Sequence, residues 1–171
     1  MFSPISKSRL LKDGTLINAG ITAVIFSSLY VNPEIWVHDA PPDIQEKFGP
    51  KSRKAKWQTI LFGVPFMLIL FGGVVHSTRQ LKQQMGGHLP FKMAFWHAYG
   101  LLLYFWLFDL VIIDWLWLVT FKPSFALIPG TEGMAGYDNY SFHLKAALPA
   151  LPGMAIPALI IAFFIASGKS S

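Results

Sequence analysis

The sequence contains no cysteine and few charged residues, and both shortages restrict what the chain can be. Without cysteine there are no disulfides, no thiolate metal ligands and no thiol nucleophile. Charged residues make up 13% of the 171 residues, whereas a soluble domain has about 25%. Hydrophobic residues reach 53%, which is more apolar surface than a soluble fold of this length hides from water. The composition therefore predicts a membrane protein.

Four apolar runs predict four transmembrane helices, because about 20 such residues in a helix cross a hydrocarbon core of ~30 Å. The runs cover residues 14–31, 57–75, 93–121 and 146–167. We expect an all-α integral membrane bundle that forms a single transmembrane domain over residues 1–171. Pro65 predicts a kink in the second helix, and Pro149, Pro152 and Pro157 predict an irregular first half of the fourth.

The positive charges do not select an orientation for these four helices. With the N-terminus inside, the 14 Lys and Arg residues divide into seven inside and seven outside, when Lys169 is counted inside. We favour the cell (inner) membrane with a cytoplasmic N-terminus, because the first helix usually dominates orientation. The basic run at residues 51–56 favours the opposite orientation, since such clusters commonly face anionic lipid on the cytoplasmic side.

Asp109 is the first candidate for a functional residue, because it lies near the centre of the third apolar run. A carboxylate there costs roughly 3 kcal/mol by insertion scales. No apolar run contains Lys or Arg, so four alternatives remain open for Asp109. The carboxyl is either protonated, hydrogen-bonded to polar groups such as Asn18 or Thr22, exposed to water, or in contact with a partner protein.

Asp114 and His97 are two further candidate catalytic residues in the same run. On an α-helix that turns about 100° per residue, with His97 at zero, Asp109 lies at about 120° and Asp114 at about 260°. The three side chains then point to different sides, which argues against a catalytic dyad within this helix alone. Trp115 and Trp117 beside Asp114 resemble an aromatic belt, so Asp114 is also expected to reach headgroup water.

Candidate metal ligands lie in the loop at residues 32–56. His38, Asp39 and Asp43 combine imidazole with carboxylates, a set that binds divalent cations. Their spacing matches no established metal motif. We therefore favour a structural loop in which Trp36 lies at the membrane interface and Asp43 caps a short amphipathic helix.

Two histidines are placed to ligate a haem, because His76 ends the second span and His97 begins the third. Antiparallel neighbouring helices would bring them to the same membrane face, as axial ligation in a helical bundle requires. Interfacial histidines commonly have no ligand. We therefore predict no cofactor, with haem or a divalent metal as the alternative.

The sequence favours a non-enzymatic membrane component that binds or stabilises a partner, with Asp109 as a polar contact between helices. The expected partners are the bilayer and a protein or a second copy of the chain. Nucleic acid is not expected, since the basic residues cluster between the apolar runs. The alternatives are a membrane-embedded enzyme acting on a lipid-like substrate and a proton- or solute-handling protein, both using Asp109.

Overall fold

The computed structural model describes residues 4–167, except for the side chains of residues 4–6, and it is helical with no strand in that range. Lys169, which enters the charge count, lies outside the described residues. The α-helices are α1 (Pro4–Val31), α2 (Pro42–Phe48), α3 (Arg53–Met67), α4 (Gly73–Gln84), α5 (Phe91–Phe108), α6 (Tyr140–Ala147), α7 (Ala150–Gly153) and α8 (Ala155–Ser167).

Four helical segments of the described chain are long and apolar enough to span a membrane. They are Lys7–Val31, Arg53–Gln84, Phe91–Phe121 and Tyr140–Ser167. Each of the four apolar runs lies within one of these segments. The predicted all-α fold with four membrane-spanning helices is therefore confirmed.

Proline residues coincide with irregular backbone in two of the four segments. Pro65 lies inside α3, and the hydrogen bonding widens to the π form over Leu68–Gly72 before α4 begins. Proline has no N–H to donate, so a normal helical hydrogen bond is lost there. The fourth segment is interrupted between α6 and α7 and again between α7 and α8. The irregular first half predicted for that segment is present.

The third segment changes its helical form at Asp109. Helix α5 ends at Phe108, and a π-helix continues over Asp109–Phe121. In a π-helix the hydrogen bonds join residues five apart, and most examples are single turns. This one covers 13 residues and is followed by Lys122, which has a left-handed φ of 46°. The angular spacing of side chains after Phe108 therefore differs from that of an α-helix.

The chain divides into two compact units. The first contains the described residues up to Gly20, together with Leu68–Leu107 and the described residues from Leu148 onward. Most of its buried side chains come from α1, α4, α5 and α8. They include Ile17, Val74, Leu81, Ala94, Ala98, Leu101, Ala158 and Ala162.

The second unit contains Ile21–Met67 and Phe108–Ala147. The loop at residues 32–56 (the first loop) and the loop at residues 122–139 (the second loop) pack on each other, since Val37 and Ile44 form one buried cluster with Ile128. A hydrogen bond joins the same loops, in which the Gly136 N–H donates to Asp43 Oδ2 at 2.9 Å. This contact corrects the predicted helix cap: α2 begins after Pro41 without a side-chain cap, and the Asp43 carboxylate binds the other loop instead.

Candidate ligand site

The second unit contains a cavity of about 340 Å³. This volume is at the small end of the range of ~300–1,000 Å³ found for ligand pockets. Its apolar walls come from the end of α1, the π-helix, the second loop and α6. They include Ile25, Leu29, Ile113, Leu118, Leu127, Phe142 and Ala146. The polar groups on its surface include the carboxyls of Asp39, Asp109 and Asp114 and the imidazoles of His38 and His143.

Asp109 and Asp114 both line this cavity. The π-helix explains how they do so, because its hydrogen bonds join residues five apart and bring such residues about one turn from each other. On an α-helix the same two residues would lie about 140° apart. The prediction that they point to different sides assumed α-helical geometry, which ends at Phe108, and it was wrong for this pair.

Asp114 is paired with His143 of α6. His143 Nδ1 lies 3.3 Å from Asp114 Oδ2, and the two side chains are 11% and 22% exposed. The distance is slightly longer than that of a good N–H···O hydrogen bond, which is ~2.7–3.2 Å. Nothing in the sequence pattern predicts His143 as a member of this site, because a loop of irregular structure separates it from Asp114.

Asp109 faces the cavity without a protein partner in the described part of its unit. Asp109 is largely buried, yet no hydrogen bond or ion pair from the described part of that unit reaches its carboxyl. Burying a polar group without a partner is costly, and more so for a charge. Asp109 lines a cavity, and of its four alternatives this position is nearest to that of a carboxyl that faces water.

The first loop contributes His38 and Asp39 to the cavity. They belong to a 3₁₀-helix, Pro33–Asp39, which begins where the Asn32 side chain accepts a hydrogen bond from the Glu34 N–H. Trp36 also lines the cavity, and its Nε1–H donates to Ser28 Oγ at 2.8 Å. The loop is therefore held to α1 by a side-chain contact of its own.

Burial raises the pKa of the Asp39 carboxyl above its ordinary value, although positive charge at Lys51 and His38 acts in the opposite direction. The pKa of Lys51 is lowered, again by burial, and here the carboxylates of Asp39 and Glu34 oppose the effect. Both shifts have desolvation as their largest cause, which disfavours a charged group near apolar walls.

Lys122 lines the cavity at the end of the π-helix and forms an ion pair with Asp138. Tyr137 lines it as well, and its hydroxyl accepts a hydrogen bond from the Ile128 N–H at 2.9 Å. The same hydroxyl lies 2.8 Å from Thr131 Oγ1. Both polar groups are thus already engaged within the second loop.

Three sequence candidates lie outside the cavity. Asp43 is bound to Gly136 and is not among the lining residues. The three candidate metal ligands of the first loop are therefore not brought together. Within residues 4–167 no group of three or more His, Asp or Glu side chains is placed to hold a metal ion.

His97 and His76 belong to the first unit and have opposite surroundings. His97 is fully buried, and its Nε2 lies 3.0 Å from Oγ of Ser77 in α4. His76, which immediately precedes Ser77 in α4, is exposed. Ser77 donates its only proton to Asp13 at 2.6 Å, so His97 Nε2–H donates to Ser77. This buried chain of hydrogen bonds occupies one nitrogen of His97, and the geometry does not support a haem held by both histidines.

Comparisons with protein-family models, with curated proteins and with solved structures found no match. The function is therefore inferred from the chemistry of the cavity.

Proposed function

We propose that the protein is a membrane-embedded enzyme that binds a lipid-like molecule in the cavity and moves a proton on it. The observation that supports this proposal is the cavity itself, which brings together Asp109 and the pair of Asp114 and His143. The sequence alone favours a non-enzymatic component. A polar contact between helices would bury Asp109 against protein, whereas here the residue lines a cavity.

A lipid-like ligand fits the walls of the cavity. Ile25 and Leu29 line it from α1, and Ile113 and Leu118 line it from the π-helix, so one part of the space is apolar. Both elements lie within segments able to span a membrane. A molecule with an apolar body and a polar group would place each part against matching surface, as most small-molecule sites do.

The pair of Asp114 and His143 has the chemistry of a general base with its orienting carboxylate. When His143 Nδ1–H donates to Asp114, the second ring nitrogen, Nε2, has a lone pair that accepts a proton. A proton taken from the bound molecule goes to Nε2, and the Asp114 carboxylate stabilises the resulting imidazolium. Return of that proton to the product restores the pair.

The test is to incubate the purified protein with a total lipid extract and to compare the extract before and after by mass spectrometry. We expect the wild type to consume at least one lipid species. His143→Gln and Asp114→Asn should slow that reaction by about 10²-fold or more, as expected when general acid–base catalysis is lost. The matched control is His88→Gln, since His88 is exposed and does not line the cavity.

Two results would contradict the proposal at different points. If the wild type retains a lipid through purification but changes nothing in the extract, binding stands and the enzymatic role is wrong. If the wild type retains no lipid and changes none, both parts of the proposal are wrong. A reaction that proceeds equally with His143→Gln would remove the proposed base.

A further inference from the structure

The charges around the cavity are unequal in sign. Three carboxyls line it, those of Asp39, Asp109 and Asp114, beside the imidazoles of His38 and His143. Lys122 is the one Lys or Arg among the described lining residues, and it is already paired with Asp138. Asp114 has His143 as a neighbour, but Asp109 has no partner within the described part of the second unit.

A positive group on the ligand would complete this arrangement. A buried carboxylate is stabilised when a cation with hydrogen-bond donors lies against it, whereas an anionic headgroup would face three carboxyls. A metal ion is a poorer candidate, because no group of three possible ligand side chains is placed for one within residues 4–167. Trp36 on the same surface is a residue type that attracts organic cations through its ring face.

We propose that the cavity binds an amphipathic amine, with its ammonium group at Asp109 and its apolar part against Ile25, Leu29 and Ile113. This inference rests on the proposed function, since it names the class of molecule that occupies the same cavity. The ammonium group has three donors, so it binds Asp109 and still has hydrogen atoms for water or for Asp39. The apolar part accounts for the aliphatic side chains that line the same cavity as the carboxyls.

The experiment compares three probes of equal chain length: octylamine, octanol and octanoate. Their dissociation constants for the purified full-length protein in a non-ionic detergent are measured by calorimetry at pH 7. We expect octylamine to bind at least about tenfold more tightly than octanol, because a hydrogen bond to a charged group contributes more than a neutral one. Octanoate should bind most weakly.

Two variants test the assignment to Asp109. Asp109→Asn should abolish the preference for octylamine over octanol, because Asn keeps the shape of the side chain and loses its charge. Glu46→Gln is the matched control, as Glu46 is exposed on α2 and does not line the cavity. It should leave the preference intact. A circular dichroism spectrum of each variant shows whether it is folded.

The outcomes separate this inference from the proposed function. Equal affinities for octylamine and octanol would overturn the cationic headgroup, while measurable binding of both would leave the lipid-like ligand supported. Tighter binding of octanoate would also overturn it. A preference for octylamine that survives in Asp109→Asn would overturn the placement at that residue. Failure of all three probes to bind would count against both proposals.

Discussion

The coupling between Asp114 and His143 can be measured as a free energy, and the structure bounds its size. At 3.3 Å two unit charges in an effective dielectric constant of ~20 attract each other by about 5 kcal/mol. Most of that attraction is offset by desolvation, and both side chains keep some exposure. Measured values for exposed pairs are ~0–1 kcal/mol. We expect a net coupling of about 1 kcal/mol when His143 is protonated.

The assay is a double-mutant cycle with Asp114→Asn, His143→Gln and the double variant. Unfolding of each protein by increasing SDS in mixed micelles is followed by circular dichroism, which gives a free energy of unfolding for each. The double variant should lose about 1 kcal/mol less than the sum of the single losses, because the second substitution removes a contact already broken.

A second cycle provides the control for non-specific effects. It combines His143→Gln with Glu46→Gln, and no hydrogen bond or ion pair joins Glu46 to His143 in the described chain. These two losses should add within about 0.4 kcal/mol, the usual error for independent sites. If the Asp114 and His143 losses are equally additive, the two side chains do not interact and the proposed base has no orienting carboxylate.

Two further predictions concern packing and pH. Gly73→Ala should destabilise the protein by about 1–3 kcal/mol, because the new methyl group would lie 2.6 Å from Ile17 Cγ1. Gly63→Ala is the control in the same membrane segment. It should be neutral or stabilising, since nothing lies within 4 Å of the new methyl group. Thermal unfolding of both variants measures the two effects. Burial raises the pKa of the Asp39 carboxyl, so the folded state binds a proton at this carboxyl more tightly than the unfolded state does. The stability that this residue contributes therefore falls as pH rises above the ordinary pKa of 3.8. Asp39→Asn should therefore gain stability relative to wild type between pH 4 and pH 7, and an unchanged difference in melting temperature between these pH values would contradict that sign.

The membrane class and the four spans could be predicted from the sequence because they depend on local composition. A charge-poor run of about 20 residues forms its backbone hydrogen bonds within one helix. Such a helix can therefore be identified without knowing which segments pack against it. The break in the fourth segment was equally local, since Pro149 and Pro152 lack an N–H wherever they lie.

The cavity depends on contacts between distant residues, and the sequence contained no signal for it. His143 contacts Asp114, and Gly136 donates a hydrogen bond to Asp43, although each pair is far apart in the sequence. Side-chain spacing was also misleading, because the α-helical period that holds up to Phe108 is replaced by a π-helix from Asp109 onward.

By itself, the sequence determined that the chain has four segments long and apolar enough to cross a membrane, where these segments lie, and that Asp109 is an unusual residue in such a segment. The tertiary structure decided what Asp109 faces and which residues accompany it. The reason is physical: hydrophobic segments of helical length are recognised by their own composition, whereas the surroundings of a carboxyl depend on the backbone geometry and packing of several segments. Asp109, His143 and Asp39 share one cavity only in the folded chain.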